Sequence, residues 1–156
     1  MTSETKPAKK PSRNRRKSRE LVLKGLYRLF ISGNSSEEIL RDLAEDDDYA
    51  HADEEYFRVL LRGVAEKVGQ LDQQIGPLLD RPVGELSPIE HAILCISGYE
   101  LMHDPSIPYR VAINEGVELA KRYGGTDGYK YVNGVLDKLA AQARPEEFRS
   151  GRKNSG

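Results

Sequence analysis

The stretch Ser87–Leu101, SPIEHAILCISGYEL, decides the fold. Ser87, Pro88 and Glu90 combine a capping hydroxyl, a proline at the first helical position and a carboxylate at the third, a pattern that starts a helix. Ile89, Ala92, Ile93, Ile96 and Leu101 then recur at helical intervals until His103, Asp104 and Pro105 end it. The same period runs outward in both directions. Downstream, Ala112, Ile113, Val117 and Ala120 predict a helix from about Pro108 to Tyr123, closed by Gly124 and Gly125. Tyr129, Val132, Leu136, Leu139 and Ala143 predict another, ended by Pro145. Upstream, Leu21, Val22, Leu26, Leu29 and Phe30 predict a helix from about Ser18 to Ile31. Ser35 with Glu38 gives a capping box for a short helix to Ala44. Asp53 caps a longer stripe of Tyr56, Phe57, Leu60, Leu61, Val64, Val68, Leu71 and Ile75. No segment alternates as a strand does between hairpin turns, so the expected class is all-α.

Domain organisation follows from where these stripes stop. The chain divides into a basic arm over residues 1–17, expected to be disordered, an N-terminal helical subdomain over 18–80 and a C-terminal one over 81–145. A polar tail over 146–156 is also expected to be disordered. The 156 residues suit one compact domain or two packed halves, and 38% hydrophobic with 31% charged residues excludes collagen-like and low-complexity classes. A single cysteine, Cys95, forms no internal disulfide, and no run of 18 apolar residues is present to cross a bilayer. Without an apolar secretory segment at its start, the chain is expected in the cytoplasm.

The net charge of −1 conceals an asymmetry. Residues 1–19 hold Lys6, Lys9, Lys10, Arg13, Arg15, Arg16, Lys17 and Arg19 against Glu4, while the remainder is acidic. Clustered cations on an acidic body attract a polyanion through counterion release, which makes nucleic acid a candidate partner; a solubilising tail is the alternative. The acidic patch Glu45, Asp46, Asp47 and Asp48 is expected to be a solvated loop.

Catalytic chemistry finds little support. His51, His91 and His103 lack zinc-ligand spacing with one another, Cys95 lies beside an apolar face, and Glu115 with Glu118 is expected to be a surface pair. Neither a catalytic residue, nor a metal ligand, nor a cofactor site is therefore assigned. Gly124, Gly125 and Gly128 around Thr126 and Asp127 could present amides to a phosphate, although a helix stop followed by an Asp cap explains the same residues. Tyr129, Lys130 and Tyr131 beside that loop, and Tyr27 beyond the arm, offer rings and a cation of the kind that hold unstacked RNA bases; core packing is the alternative for any one tyrosine.

Four segments carry a wider resemblance: RRKSRELVLKGLY (15–27), IEHAILCISGYEL (89–101), IPYRVAINEGVELAKRYG (107–124) and KYVNGVLDKLA (130–140). In order and spacing they closely resemble the NusB family of bacterial transcription antitermination factors, from about Arg15 to Pro145. The resemblance implies about seven helices in two perpendicular three-helix bundles. It also implies binding of single-stranded boxA RNA in ribosomal RNA leader transcripts, together with the ribosomal small-subunit protein NusE, in the antitermination complex on RNA polymerase. By motif, Arg15, Arg16 and Arg19 would meet RNA phosphates with Tyr27 close by. Asp127, Lys130 and Tyr131 would lie at the RNA surface, and Glu90 and Asp127 at the protein partner. Tyr131 stands where phenylalanine is frequent, and Ser18 and Gly25 stand where alanine is commoner, weakening the first helix. Asn114, Glu115, Asn133 and Gly134 read first as packing and capping residues. The alternatives are a protein-only helical scaffold and an RNA-guiding subunit for a separate ribosomal RNA methyltransferase. Family members include monomers and homodimers.

Overall fold

In the computed structural model the backbone is described over residues 11–155 and side chains over 14–151; residues 1–10 of the arm lie outside this range. Among the described residues there are seven α-helices and no strand; the helical periodicity predicts the first six, and the seventh lies where a disordered tail is expected. They are α1 (Pro11–Ser32), α2 (Ser36–Leu43), α3 (Glu54–Ile75), α4 (Pro88–His103), α5 (Tyr109–Tyr123), α6 (Gly128–Ala143) and α7 (Pro145–Ser155). Three starts carry the expected caps. The Ser35 hydroxyl accepts from Glu38 N–H at 3.2 Å while the Glu38 carboxylate accepts from Ser35 N–H at 2.9 Å. Asp53 accepts from Tyr56 N–H at 3.0 Å and Ser87 from Glu90 N–H at 3.1 Å. Each such cap contributes about 1 kcal/mol by satisfying an amide that has no partner within its helix.

Helices α1, α2 and α3 pack together, as do α4, α5 and α6, and α4 also rests on α1 and α3. The two groups therefore share one core, running from Leu21, Leu26, Phe57 and Leu61 to Ile93, Ile96, Leu136 and Leu139. Helix α4 is its centre because residues 92–98 are all buried, the state expected of a helix that is apolar on every side. Gly25 has a packing role: a Cβ there would lie 3.0 Å from Ile39 Cγ2 and 3.2 Å from Leu61 Cδ1, so its absence lets α1 approach α2 and α3. Ser18 is likewise occupied, donating to Asp53 O at 2.7 Å.

Two boundaries differ from expectation. The arm does not end at residue 17, since α1 starts at Pro11 and residues 14–17 are anchored. Asp53 N–H donates to Asn14 O at 3.2 Å, and the Arg15 guanidinium lies over the Tyr56 ring at 4.2 Å. The tail is helical rather than disordered, because Pro145 begins α7 with Glu146 and Glu147 in its first turn. Glu147 accepts from Tyr109 N–H at 2.9 Å, and Phe148 packs on the Tyr109 ring with centroids 5.3 Å apart. Arg144 secures this corner by donating to the backbone oxygens of Glu100, Leu101, Asp104 and Ile107. The acidic patch is also more structured than a loop: Asp47–His51 form a 3-10 turn, Asp46 accepts from Asp48 N–H at 2.8 Å, and Lys24 reaches Asp46 and Asp48.

Candidate nucleic-acid interface

In the N-terminal half of α1, Arg15 and Arg19 turn inward while Arg16 stays exposed. Arg19 is only 2% exposed, and its Nε donates to Glu100 Oε2 at 2.9 Å. The Tyr56 hydroxyl donates to the same oxygen. Burial pushes the Glu100 carboxyl above the usual carboxylate range although Arg19 and Tyr56 oppose it. Burial and the Glu100 charge push the Tyr56 phenol up, keeping it protonated and a donor. Arg15 is half-buried over Tyr56, and Arg16 makes a two-bond pair with Glu115 at 3.1 and 2.8 Å. Two expectations are corrected. Arg19 is enclosed by α3 and α4 and does not reach a surface phosphate, and Glu115 is buried against Arg16 and Arg19 rather than lying on the surface.

The outward side of α1 is different. Lys24, Tyr27 and Arg28 share an exposed strip, as residues three and four apart do. Tyr27 and Tyr123 are each 42% exposed. Together with Leu23, Ile89 and the two cations they line a cleft of about 270 Å³ between α1, α4 and α5. Glu20 borders this cleft and a second of about 390 Å³ that continues along α5 past Lys121 and Arg122.

Tyr123 leads straight into the glycine loop. Gly125 has φ +85°, a left-handed conformation that glycine adopts freely. Asp127 stands at the N-cap position of α6 but its side chain caps nothing; it is exposed, 3.7 Å from Lys130 Nζ. The helix stop at Gly124 and Gly125 is present, and Asp127 caps α6 through its backbone carbonyl, which accepts from Lys130 N–H at 3.1 Å. Lys121 and Lys130 lie 5.3 and 6.0 Å from the centre of the Tyr129 ring. Gly128 faces Glu90, whose Oε2 would be 3.3 Å from a Cβ at that position, so the loop closes on the first turn of α4. Tyr131 points elsewhere: its hydroxyl donates to Asp80 Oδ1 at 3.0 Å and Arg81 covers its ring at 4.6 Å. The hydroxyl that replaces the family's frequent phenylalanine thus has a partner.

Of the predicted residues, the fold brings Tyr27, Glu90, Asp127 and Lys130 around the cleft and loop. It sets Arg16 at the margin, ties Tyr131 to the α3–α4 connection, and turns Arg15 and Arg19 into the protein. Sequence reasoning missed Lys24, Arg28, Ile89, Tyr123, Lys121 and Arg122. The available signal was the spacing of Lys24 and Arg28 around Tyr27, but the basic arm dominated the charge count. Burial, and then the Asp72 charge, push the Cys95 thiol up. The histidines do not meet one another; His91 meets Asp72 and Cys95 instead. No described helix is long and apolar enough to cross a membrane.

The chain and its fold are similar to known proteins. The NusB family model matches residues 16–141. A transcription antitermination protein NusB of Methylobacillus flagellatus is 66% identical over 148 residues, covering 95% of this chain and 96% of the relative. The structure of T. maritima NusB is similar with a TM-score of 0.77 at 31% identity, covering 91% of this chain and 99% of that one. The fold also matches, at 23% identity and a TM-score of 0.68, a crystal structure of the antitermination factors NusB and NusE in complex with dsRNA; the overlap covers 81% of this chain and 96% of that one.

Proposed function

Because the chain belongs to the NusB family, whose model spans residues 16–141, we propose that it is an RNA-binding transcription antitermination factor that acts with NusE. Its RNA is the single-stranded boxA element of ribosomal RNA leader transcripts, and the pair joins the antitermination complex on RNA polymerase. Acting on nascent transcripts places it in the cytoplasm, as a binding protein rather than an enzyme. The observation that carries the reading is the cleft of Tyr27 and Tyr123 edged by Lys24 and Arg28, continuous with the loop that presents Asp127 and Lys130.

The rings supply flat faces on which unpaired bases stack, and the lysines and arginines supply the salt-sensitive attraction to phosphates. Lys6, Lys9 and Lys10 add positive charge that attracts the same phosphates. Asp127 and Glu90 repel phosphate and suit a protein partner that covers the loop with hydrogen-bond donors. Arg16 can serve both sides, since its side chain is 55% exposed while paired with Glu115. Tyr131 acts through Arg81 at the edge of this surface.

Gel-shift titration of boxA RNA with NusE present tests the reading. About four neutralised phosphates give a slope of about −3 for log affinity against log salt. A flat salt response, or binding indifferent to Tyr27→Ala and to removal of residues 1–10, would favour the protein-only scaffold. Methyl transfer to RNA when a separate methyltransferase is supplied would favour the guiding-subunit alternative.

A further inference from the structure

Outside the RNA surface, the junction of α3 and α4 assembles three unlike ligand groups. His91 and Cys95 are four residues apart on one face of α4, and Asp72 on α3 faces both. His91 Nε2 lies 2.7 Å from Asp72 Oδ1, and Cys95 Sγ lies 3.9 Å from the same oxygen. All three ligand atoms are within 4.8 Å of one another. Phe30 of α1 stacks on the His91 ring, with centroids 4.4 Å apart and planes inclined by 15°, which fixes the imidazole while leaving Nε2 toward Asp72. The thiol is fully buried, whereas Asp72 and His91 are only partly so, leaving the cluster closed on the protein side and open on the other.

We propose that Asp72, His91 and Cys95 form a binding site for a thiophilic divalent cation of the zinc class, with a fourth position left to water. Tetrahedral zinc with one sulfur, one nitrogen and one oxygen ligand holds oxygen and nitrogen about 3.3 Å apart and oxygen and sulfur about 3.6 Å apart. The observed oxygen–nitrogen distance of 2.7 Å is shorter than the tetrahedral value and the oxygen–sulfur distance of 3.9 Å is longer, so the Asp72 carboxylate must swing from His91 toward Cys95 to admit the ion. Hard carboxylate, imidazole and thiolate together select zinc over magnesium or calcium, which take oxygen ligands. On binding, the Cys95 thiol gives its proton to solvent, and the neutral His91 imidazole keeps its proton on Nδ1, so that Nε2 offers its lone pair to the ion in place of the contact with Asp72. The bound ion then clasps α3 to α4. This proposal is independent of the RNA reading.

Cobalt(II) titration of the full chain tests it. Because Cys95 is the chain's only cysteine, a thiolate-to-cobalt charge-transfer band in the near ultraviolet assigns that ligand directly. One ion per chain is expected by native mass spectrometry, displaced by zinc, with the band lost in Cys95→Ser. Asp72→Asn and His91→Gln are expected to weaken zinc at least about tenfold while the circular dichroism stays native. His51→Gln and His103→Gln leave binding unchanged. Absence of the band in the native protein overturns the site, and so does zinc affinity indifferent to both Asp72→Asn and His91→Gln.

Discussion

The two halves of α1 carry the same kinds of residue and use them oppositely. Arg15, Arg16 and Arg19 face Tyr56, Glu115 and Glu100, whereas Lys24 and Arg28 flank Tyr27 on an open cleft. Both halves have acidic neighbours. Arg28 lies 3.5 Å from Asp42 and Lys24 lies 3.1 Å from Asp46, yet these pairs remain in solvent, where such contacts contribute little. What separates the halves is burial of the partner. A buried Glu100 requires Arg19 to stay, while an exposed Asp42 leaves Arg28 free to exchange it for a phosphate.

The largest effect expected from this contrast is on the buried side. Arg19→Met leaves Glu100 enclosed without its cation and costs about 3–5 kcal/mol. That is a fall in Tm of roughly 6–20 °C for a chain of this size, measured by thermal unfolding. Combining Arg19→Met with Glu100→Leu and Tyr56→Phe restores most of the loss, and the refolded triple variant binds boxA RNA as the native chain does. Loss of RNA binding in that folded variant would return Arg19 to the RNA site and erase the contrast.

On the open side, Tyr27→Ala is expected to cost about 1–3 kcal/mol of RNA affinity, roughly 5- to 150-fold, by removing a stacking face. Unfolding should shift by no more than about 0.5 kcal/mol, because Tyr27 lies outside the core. Smaller still, Lys24→Ala and Arg28→Ala each flatten the salt dependence by about 0.7 in slope per lost phosphate contact, read from gel shifts at several salt concentrations.

The smallest effect is a pH response at the Lys24 partner. The Asp48 amide, and then Lys24, hold the Asp46 carboxyl below its usual range. Its contribution is therefore complete above the ordinary carboxylate range and disappears as pH falls through the lowered folded value. Protection of the Asp48 amide from hydrogen exchange should fade in that acid window, with Glu100 and Arg19 unaffected by the change at Asp46.

Much of this architecture was legible in the sequence because it rests on local signals. Ser35, Asp53 and Ser87 cap the helices they announce, and the apolar stripes of α3, α4, α5 and α6 face the core. Charge placement was not legible, since it depends on residues far apart in the chain: Arg19 meets Glu100 and Arg16 meets Glu115 only once α4 and α5 have packed on α1. The tail failed for a similar reason. Its polar sequence lacks a stripe, and α7 is held by contacts with residues far back in the chain, among them Glu147 and Phe148 with Tyr109 and the Gly151 carbonyl with Arg110. Tyr27 was found because its ring follows the arm, but its cleft partner Tyr123 reads in sequence as the end of an amphipathic helix.

Mapping the peptides that crosslink to boxA RNA, with NusE present, tests the contrast most directly. Crosslinks are expected at Tyr27 and within residues 121–131, and none at Arg19. Crosslinks confined to the exposed face of α3, around residues 59–73, would contradict it.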